Sequence, residues 1–175
     1  MEKLSNWIDI DPYHINENVF DLLDNKWMLI TAGVPDHFNT MTASWGGLGV
    51  LWNKSIVTLF IRPQRYTYKF VEENPSFNIS FFDKRYKPAL NICGSKSGRN
   101  FDKVKEAGLT PAITPKGNIT FQEAYLTMDC IKLYADDLKP ESFIDKALIG
   151  KIYPTKDFHR FFIGEIAGCY KVSSL

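Results

Sequence analysis

A glycine- and serine-rich turn, Cys93-Gly-Ser-Lys-Ser-Gly-Arg99, leads into a predicted helix that contains Lys103. Helix N-terminal N–H groups, serine hydroxyls and the cations Lys96, Arg99 and Lys103 are donors that suit a dianionic monophosphate. The GxxxxGK[ST] spacing of triphosphate loops is absent, and no parallel βαβ unit is predicted around the turn. The turn therefore predicts a monophosphate site. The alternative is a plain exposed turn with Ser97 as a cap.

A second polar pattern lies in the segment Asn39-Thr-Met-Thr-Ala-Ser-Trp45. Strand alternation would place Thr40, Thr42 and Ser44 on one face. Small residues beside them, such as Ala43, would let a flat ring approach the backbone closely. The segment is therefore either the wall of a ring-binding site or an ordinary strand with solvent-facing threonines.

A third pattern, Arg62-Pro-Gln-Arg-Tyr-Thr67, follows a predicted strand and begins a predicted helix. A guanidinium at a strand end can donate to a ring carbonyl and stabilise negative charge there, by roughly 1.5 to 3 kcal/mol. In the alternative interpretation Arg62 forms a structural ion pair, Thr67 caps the helix and Tyr66 belongs to the core.

The elements that must position these residues are mostly strands, because apolar residues recur with period two in segments rich in β-branched and aromatic types. Six strands of this kind suit a barrel, and the expected fold class is mainly β, a β-barrel with short helices. The predicted strands are 27–34, 38–45, 55–62, 76–82, 124–134 and 158–171. The predicted helices are 66–74, 99–107 and 141–151, and 108–117 is predicted to be a surface loop.

The composition excludes several classes of protein. At 175 residues a single domain spanning 1–175 is expected, and the net charge of +1 disfavours nucleic acid or an anionic membrane as partner. The first ten residues carry no leader pattern and no stretch is long and apolar enough to span a membrane, so a cytoplasmic location is expected. The three cysteines lie far apart, which favours reduced thiols over a disulfide framework or a metal site.

The patterns NTMTASWGG, LWNKSIVTLFIRPQRYT, SFNISFF, ICGSKSGRNFDK and HRFFIGEIAG occur in this order. Together they resemble the flavin reductase-like FMN-binding split-barrel family over residues 20–172, with flavoredoxin as the branch most like this chain. The resemblance implies a split barrel of Greek-key type and a homodimer with an FMN at each subunit interface. One departure is Asn100, where similar proteins more often have aspartate.

The resemblance also implies site residues. Strand contacts with the flavin would come from Thr42, Ala43, Ser44 and Trp45, and contacts with its ring and ribityl side from Arg62, Pro63, Tyr66 and Thr67. Ser95, Ser97, Gly98, Arg99 and Lys103 would hold the phosphate. His159 of the partner subunit would face the flavin as the tentative catalytic residue, and the alternative is a structural histidine.

Three functions follow from this resemblance. The first is an NAD(P)H-dependent flavin reductase that passes hydride from NADH or NADPH to FMN and electrons onward. The second is a flavoredoxin-like electron carrier that keeps its FMN and docks on a redox partner protein. The third is a non-catalytic FMN-binding module. No dinucleotide-binding fingerprint is present, so a nicotinamide would have to stack on the flavin in an open crevice.

Overall fold

The computed structural model describes residues 1–3 and 6–173, of which β-strands are the main element. The strands are β1 (Glu2–Lys3), β2 (Trp7–Asp9), β3 (Met28–Val34), β4 (His37–Ala43), β5 (Gly46–Leu51), β6 (Lys54–Ile61), β7 (Ser76–Phe82), β8 (Pro111–Ile113), β9 (Ile119–Phe121), β10 (Ala124–Asp137) and β11 (Arg160–Val172). The α-helices are α1 (Tyr66–Glu73), α2 (Lys87–Ser95), α3 (Lys103–Glu106) and α4 (Ala147–Ile152). A π-helical turn covers Asp21–Lys26.

A large antiparallel sheet forms the centre of the fold, with the strand order β4-β3-β7-β10-β11-β6-β5. Strand β2 pairs with β11, and β1, β8 and β9 form a separate small sheet. The prediction of a mainly β fold with short helices is confirmed. Among the described residues no helix is long and apolar enough to cross a membrane.

Two apolar clusters hold the sheet and its helices in place. Alternate side chains of the large sheet, among them Ile30, Leu59 and Phe162, are fully buried in the first cluster. In the second cluster Leu90 and Cys93 of α2 pack with Leu29 of β3. Each fully buried aliphatic side chain of this size stabilises the fold by roughly 1.5 to 3 kcal/mol. The second cluster therefore fixes α2 beside β3 and β4, where the site described below is found.

The predicted strands agree with β3, β4, β6, β7, β10 and β11, apart from shifts at their ends. Strand β5 was not predicted, because its sequence GGLGVL contains three glycines and lacks the alternation of a half-buried strand. The surface loop predicted for 108–117 is wrong in part, since β8 lies within it and pairs with β9.

The helix predictions were less accurate. The helix predicted for 66–74 is confirmed as α1. The helix predicted for 99–107 is wrong over its first half, because the Asp102 side chain accepts from the Lys105 N–H at 3.1 Å and starts the helix at Lys103. The helix predicted for 141–151 is interrupted: a 3-10 turn at Pro140–Ser142 precedes α4, and Phe143 between them has extended backbone and packs on other aromatic rings.

Candidate functional site

A cavity of about 460 Å³ opens where the end of β4, the end of β6 and one side of α2 meet. We call it the wide cavity. The residues lining it are Trp27, Met41, Thr42, Ala43, Ser44, Trp45, Phe60, Arg62, Arg65, Leu90, Asn91, Gly94, Ser95 and His159. The structure thus brings together the predicted ring-binding strand, the predicted arginine segment and the late histidine.

Hydroxyl groups on β4 join this strand to its neighbours. Thr40 is fully buried and donates to the Ile30 carbonyl at 3.1 Å, so the solvent-facing interpretation is wrong for this residue. Thr42 donates to the Leu90 carbonyl of α2, and a Cβ on Gly94 would lie 3.2 Å from the Thr42 Cβ. This close approach of α2 to β4 closes one side of the wide cavity.

Aromatic rings form much of the remaining wall. The Trp45 side chain is about half exposed, and its ring centroid lies 5.0 Å from that of His159. The Lys87 ammonium lies 3.1 Å from the centroid of the Trp27 ring. Aromatic and apolar walls combined with polar groups that can orient the ligand are typical of a site for a flat organic ligand.

A second cavity, of about 200 Å³, shares Arg65 and Ser95 with the wide cavity. We call it the narrow cavity. The residues lining it are Gln64, Arg65, Tyr66, Thr67, Ser95, Lys96, Ser97, Arg99 and Lys103. Because two residues belong to both walls, the cavities adjoin, and one ligand with a flat end and a small polar end could occupy both.

The narrow cavity contains cations that no carboxylate neutralises. Arg65 donates to the Gly94 carbonyl at 2.7 Å, Arg99 to the Gln64 carbonyl at 3.4 Å, and Lys103 to the Cys93 carbonyl at 3.3 Å. Within the described ranges none of these three cations has a carboxylate oxygen within 4.0 Å. The narrow cavity is therefore suited to an anion.

Burial adds to the electrostatic cost of this arrangement. Lys103 is 4% exposed, and burial lowers the pKa of its ammonium to about 8, with the nearby Arg65 charge acting in the same direction. Burial also lowers the pKa of Arg65. Lys96 differs from both, because it pairs with Glu106 at 3.5 Å. An anion bound between Arg65 and Lys103 would relieve their mutual repulsion.

The helix N-terminus at the narrow cavity is that of α1. The N-cap residue of α1 is Arg65, and no side chain caps this end. The alternative interpretation of the sequence, in which Thr67 caps this helix, is wrong. The Thr67 hydroxyl is buried and accepts from the Asn39 side chain at 2.7 Å. The first turn of α1 therefore leaves backbone N–H groups available at the cavity wall. The predicted contribution of the helix containing Lys103 is wrong, since that helix is one turn long and capped by Asp102.

Arg62 forms a structural ion pair, as the alternative interpretation of its sequence motif predicted. Its guanidinium pairs with Asp157 and donates to the Ile152 carbonyl at 3.0 Å. Hydrogen bonds from Thr155, Arg62 and Gln64 hold the pKa of Asp157 well below its usual range. Arg62 still contributes to the wall of the wide cavity, but its charge is already compensated.

His159 lies one residue before β11 and is 7% exposed. Its Nδ1 is 2.8 Å from the Tyr153 hydroxyl. Burial, with the positive charge of Arg62 acting in the same direction, lowers the pKa of His159 to about 4, so the imidazole is neutral at neutral pH. The structure places this histidine in the wide cavity of its own chain, whereas the resemblance implied a contribution from the partner subunit.

Most of the predicted site residues line the two cavities, and two of them do not. Pro63 lies in the exposed turn after β6, and Gly98 packs beside Asn39, whose Oδ1 would be 2.1 Å from a Cβ on the glycine. Sequence reasoning missed several residues: Trp27, Met41, Phe60, Gln64, Arg65, Leu90, Asn91 and Gly94. Arg65 had a usable signal, because it belongs to the same motif as Arg62.

Comparison with known proteins identifies the family. Residues 21–174 match the family model described as the flavin reductase like domain. The chain belongs to this family. No curated protein matches it.

Similar solved structures have the same split-barrel fold, which confirms the fold predicted from the resemblance. An FMN-binding domain of a flavin reductases-like enzyme from Shewanella baltica has a TM-score of 0.69 and 16% identity, over 95% of this chain and 78% of that chain. The flavoredoxin of Methanosarcina acetivorans has a TM-score of 0.63 and 23% identity, over 93% and 76%. An NADH:FAD oxidoreductase from Streptomyces globisporus, in complex with NAD and FAD fragments, has a TM-score of 0.62 and 15% identity, over 83% and 74%.

Proposed function

We propose that this family member binds FMN without a covalent bond and acts as an NAD(P)H-dependent flavin reductase. The observation that carries the proposal is the pair of adjoining cavities, one walled by aromatic and small residues and the other by Arg65, Arg99 and Lys103 without carboxylate partners. Membership of the flavin reductase family supports a flavin as the ligand and an oxidoreductase reaction.

The residues present fit FMN. The ring system would lie in the wide cavity, beside Trp45 and the backbone at Ala43. The phosphate would lie in the narrow cavity, where three cations and the uncapped first turn of α1 supply donors. Ser95 and Arg65 line both cavities and would contact the chain that joins ring to phosphate.

When bound, the flavin supplies the hydride and electron chemistry, and the protein supplies position and electrostatics. Trp45 and His159 form a wall against which a flat ring can be oriented. His159 is neutral at neutral pH, so its function at the cavity is to offer a hydrogen bond and exclude water rather than to carry charge. The half-exposed Trp45 marks the side from which NADH or NADPH would stack on the ring.

A second candidate is a flavoredoxin-like electron carrier that keeps its FMN and exchanges electrons with a redox partner protein. The observation that favours it is the same exposure of Trp45, because an accessible ring edge is sufficient for electron transfer and no dinucleotide fingerprint is present in the sequence. The non-catalytic FMN-binding module stays as a third alternative.

We further propose that the active form is a homodimer in the cytoplasm, with FMN at the subunit interface. Strand β5 lies at one edge of the large sheet, and Val50 in this strand and Trp52 in the turn after it are 60% and 56% exposed. An unpaired sheet edge with exposed apolar residues is a suitable surface for a second copy. Sedimentation of the FMN-loaded protein at the mass of a monomer would contradict the dimer.

The test is an anaerobic absorbance titration of the purified protein with FMN, followed by NADH or NADPH. Bleaching of the bound flavin at a catalytic rate supports the reductase, and reduction by dithionite or a protein donor alone supports the carrier. The matched variants are Arg65→Met, in the narrow cavity, and Lys69→Met, on the exposed side of α1. Arg65→Met should weaken FMN binding and Lys69→Met should not. Failure of the wild-type protein to bind FMN would refute the proposal.

A further inference from the structure

A buried tyrosine contacts one of the residues that line the wide cavity. Tyr153 follows directly after α4, is 5% exposed, and its hydroxyl lies 2.8 Å from Nδ1 of His159. Tyr153 does not line the wide cavity, whereas His159 does. The hydrogen bond therefore connects a residue outside the proposed ligand site to the imidazole that faces the ligand.

The position of Tyr153 is set by Arg62. The segment 138–159 joins β10 to β11 and carries Tyr153. The Arg62 guanidinium pairs with Asp157 of this segment, donates to the Ile152 carbonyl, and lies 5.3 Å from the centroid of the Tyr153 ring. Three contacts from one side chain hold the segment against the end of β6. The tyrosine hydroxyl is thus kept at Nδ1 of the histidine.

Both members of the pair are neutral at neutral pH. Burial lowers the pKa of His159 to about 4 and raises the pKa of Tyr153 above its ordinary value. A neutral imidazole carries one proton, and the nitrogen that holds it is determined by the hydrogen bond at the other nitrogen. In the described part of the chain His159 is the partner of the Tyr153 hydroxyl, so the phenol proton is available for Nδ1.

We propose that Tyr153 is a positioning residue: its hydroxyl donates to Nδ1 of His159, which places the imidazole proton on Nε2 and makes that nitrogen a neutral hydrogen-bond donor to the wide cavity. The donor suits a carbonyl oxygen on a flat ring ligand. The identity of that ligand as flavin or nicotinamide rests on the proposed function, but the tautomer does not. Arg62 acts one step further away, by holding the tyrosine.

The tautomer can be measured without any cofactor. In FMN-free protein with ¹⁵N-labelled histidine, long-range ¹H–¹⁵N spectra distinguish the protonated from the unprotonated ring nitrogen, and His159→Gln identifies the signals of this residue. The expected result at neutral pH is a single tautomer with the proton on Nε2. Tyr153→Phe should replace it by a mixture of tautomers, and Tyr134→Phe, at an exposed tyrosine, should leave it unchanged. A proton on Nδ1 in the wild-type protein would overturn the proposal.

A double-mutant cycle on the FMN-loaded protein tests the consequence for the ligand. Tyr153→Phe and His159→Phe should each raise the FMN Kd, or the KM for the nicotinamide, roughly two- to tenfold, as expected for one neutral hydrogen bond. The double variant should raise the Kd or KM no more than His159→Phe alone, because the tyrosine acts through the histidine. If the free-energy changes of the two single variants add fully in the double variant, the positioning role of Tyr153 is overturned. A protein that binds no FMN would refute the proposed function, while the tautomer measurement still decides this inference.

Discussion

The affinity of the narrow cavity for FMN should depend on pH through one residue, Lys103. Burial lowers the pKa of its ammonium to about 8, and the neighbouring groups are fixed in charge over the range of the experiment. Arg65 stays protonated, and burial raises the pKa of the Cys93 thiol to about 11, so this thiol stays neutral. The FMN phosphate is already a dianion above about pH 7. Lys103 is then the group that titrates.

The magnitude follows from the contact that the ammonium would make. A charge-assisted hydrogen bond contributes roughly 1.5 to 3 kcal/mol, and one pKa unit corresponds to about 1.4 kcal/mol. Phosphate binding should therefore raise the pKa of Lys103 by roughly one to two units. The protonated form is favoured in the complex, so affinity is lost as pH rises through the free-state pKa. Between about pH 7 and pH 9.5 the Kd should rise roughly seven- to twentyfold.

Quenching of FMN fluorescence on binding, titrated at several pH values, measures this dependence. Lys103→Met should bind FMN more weakly near neutral pH and lose most of the pH dependence. Lys105→Met makes the same change at an exposed position of the same short helix and should keep the wild-type profile. If the Kd of Lys103→Met for FMN changes with pH as steeply as that of the wild-type protein, another group titrates and Lys103 does not contact the phosphate.

Three further predictions concern the surroundings of the site. Arg62→Ala should lower the free energy of unfolding by about 1 to 3 kcal/mol, because it removes the charged partner of Asp157 and the side-chain donor of the half-buried Ile152 carbonyl, and an unchanged denaturation midpoint would contradict this. Gly98→Ala should weaken FMN binding in a fluorescence titration, since its Cβ would meet Asn39 at 2.1 Å, whereas Gly47→Ala meets nothing within 4 Å and should bind normally. Burial raises the pKa of Asp129, so its ionisation destabilises the fold as pH rises through that pKa. Asp129→Asn should therefore melt at or above the wild-type temperature at neutral pH. A lower melting temperature of the variant at neutral pH would contradict the destabilising effect of the ionised Asp129 side chain.

The sheet could be predicted from the sequence because its strands bury one face, and burial enforces alternation. The prediction for 55–62 agrees with β6 to within one residue, and buried Val57, Leu59 and Ile61 alternate there with the less buried Thr58 and Phe60. A helix that could not be predicted is α2, which contains the glycine and serine that indicated a turn. It is helical because Leu90 and Cys93 pack into the second apolar cluster, a tertiary contact that overrides the local preference.

The candidate site could be predicted where its residues are close in sequence. The segment from Thr42 to Trp45 forms one wall of the wide cavity, and Ser97, Arg99 and Lys103 lie together in the narrow cavity. The source of the helix N–H groups could not be predicted, since it is α1, whose start is separated from Arg99 by more than thirty residues of chain. Whether those residues contact FMN stays a prediction.

The division of roles between Arg62 and Arg65 shows what sequence alone could not resolve. Both stand in one motif after β6, and either could be the guanidinium that meets a ligand. The two arginines differ because Arg62 pairs with Asp157, which is 95 positions away in the chain. Its carboxylate compensates the charge of Arg62, whereas Arg65 binds a backbone carbonyl and lies on both cavities. A ligand anion therefore gains more from Arg65, and Arg62 contributes through the segment it holds.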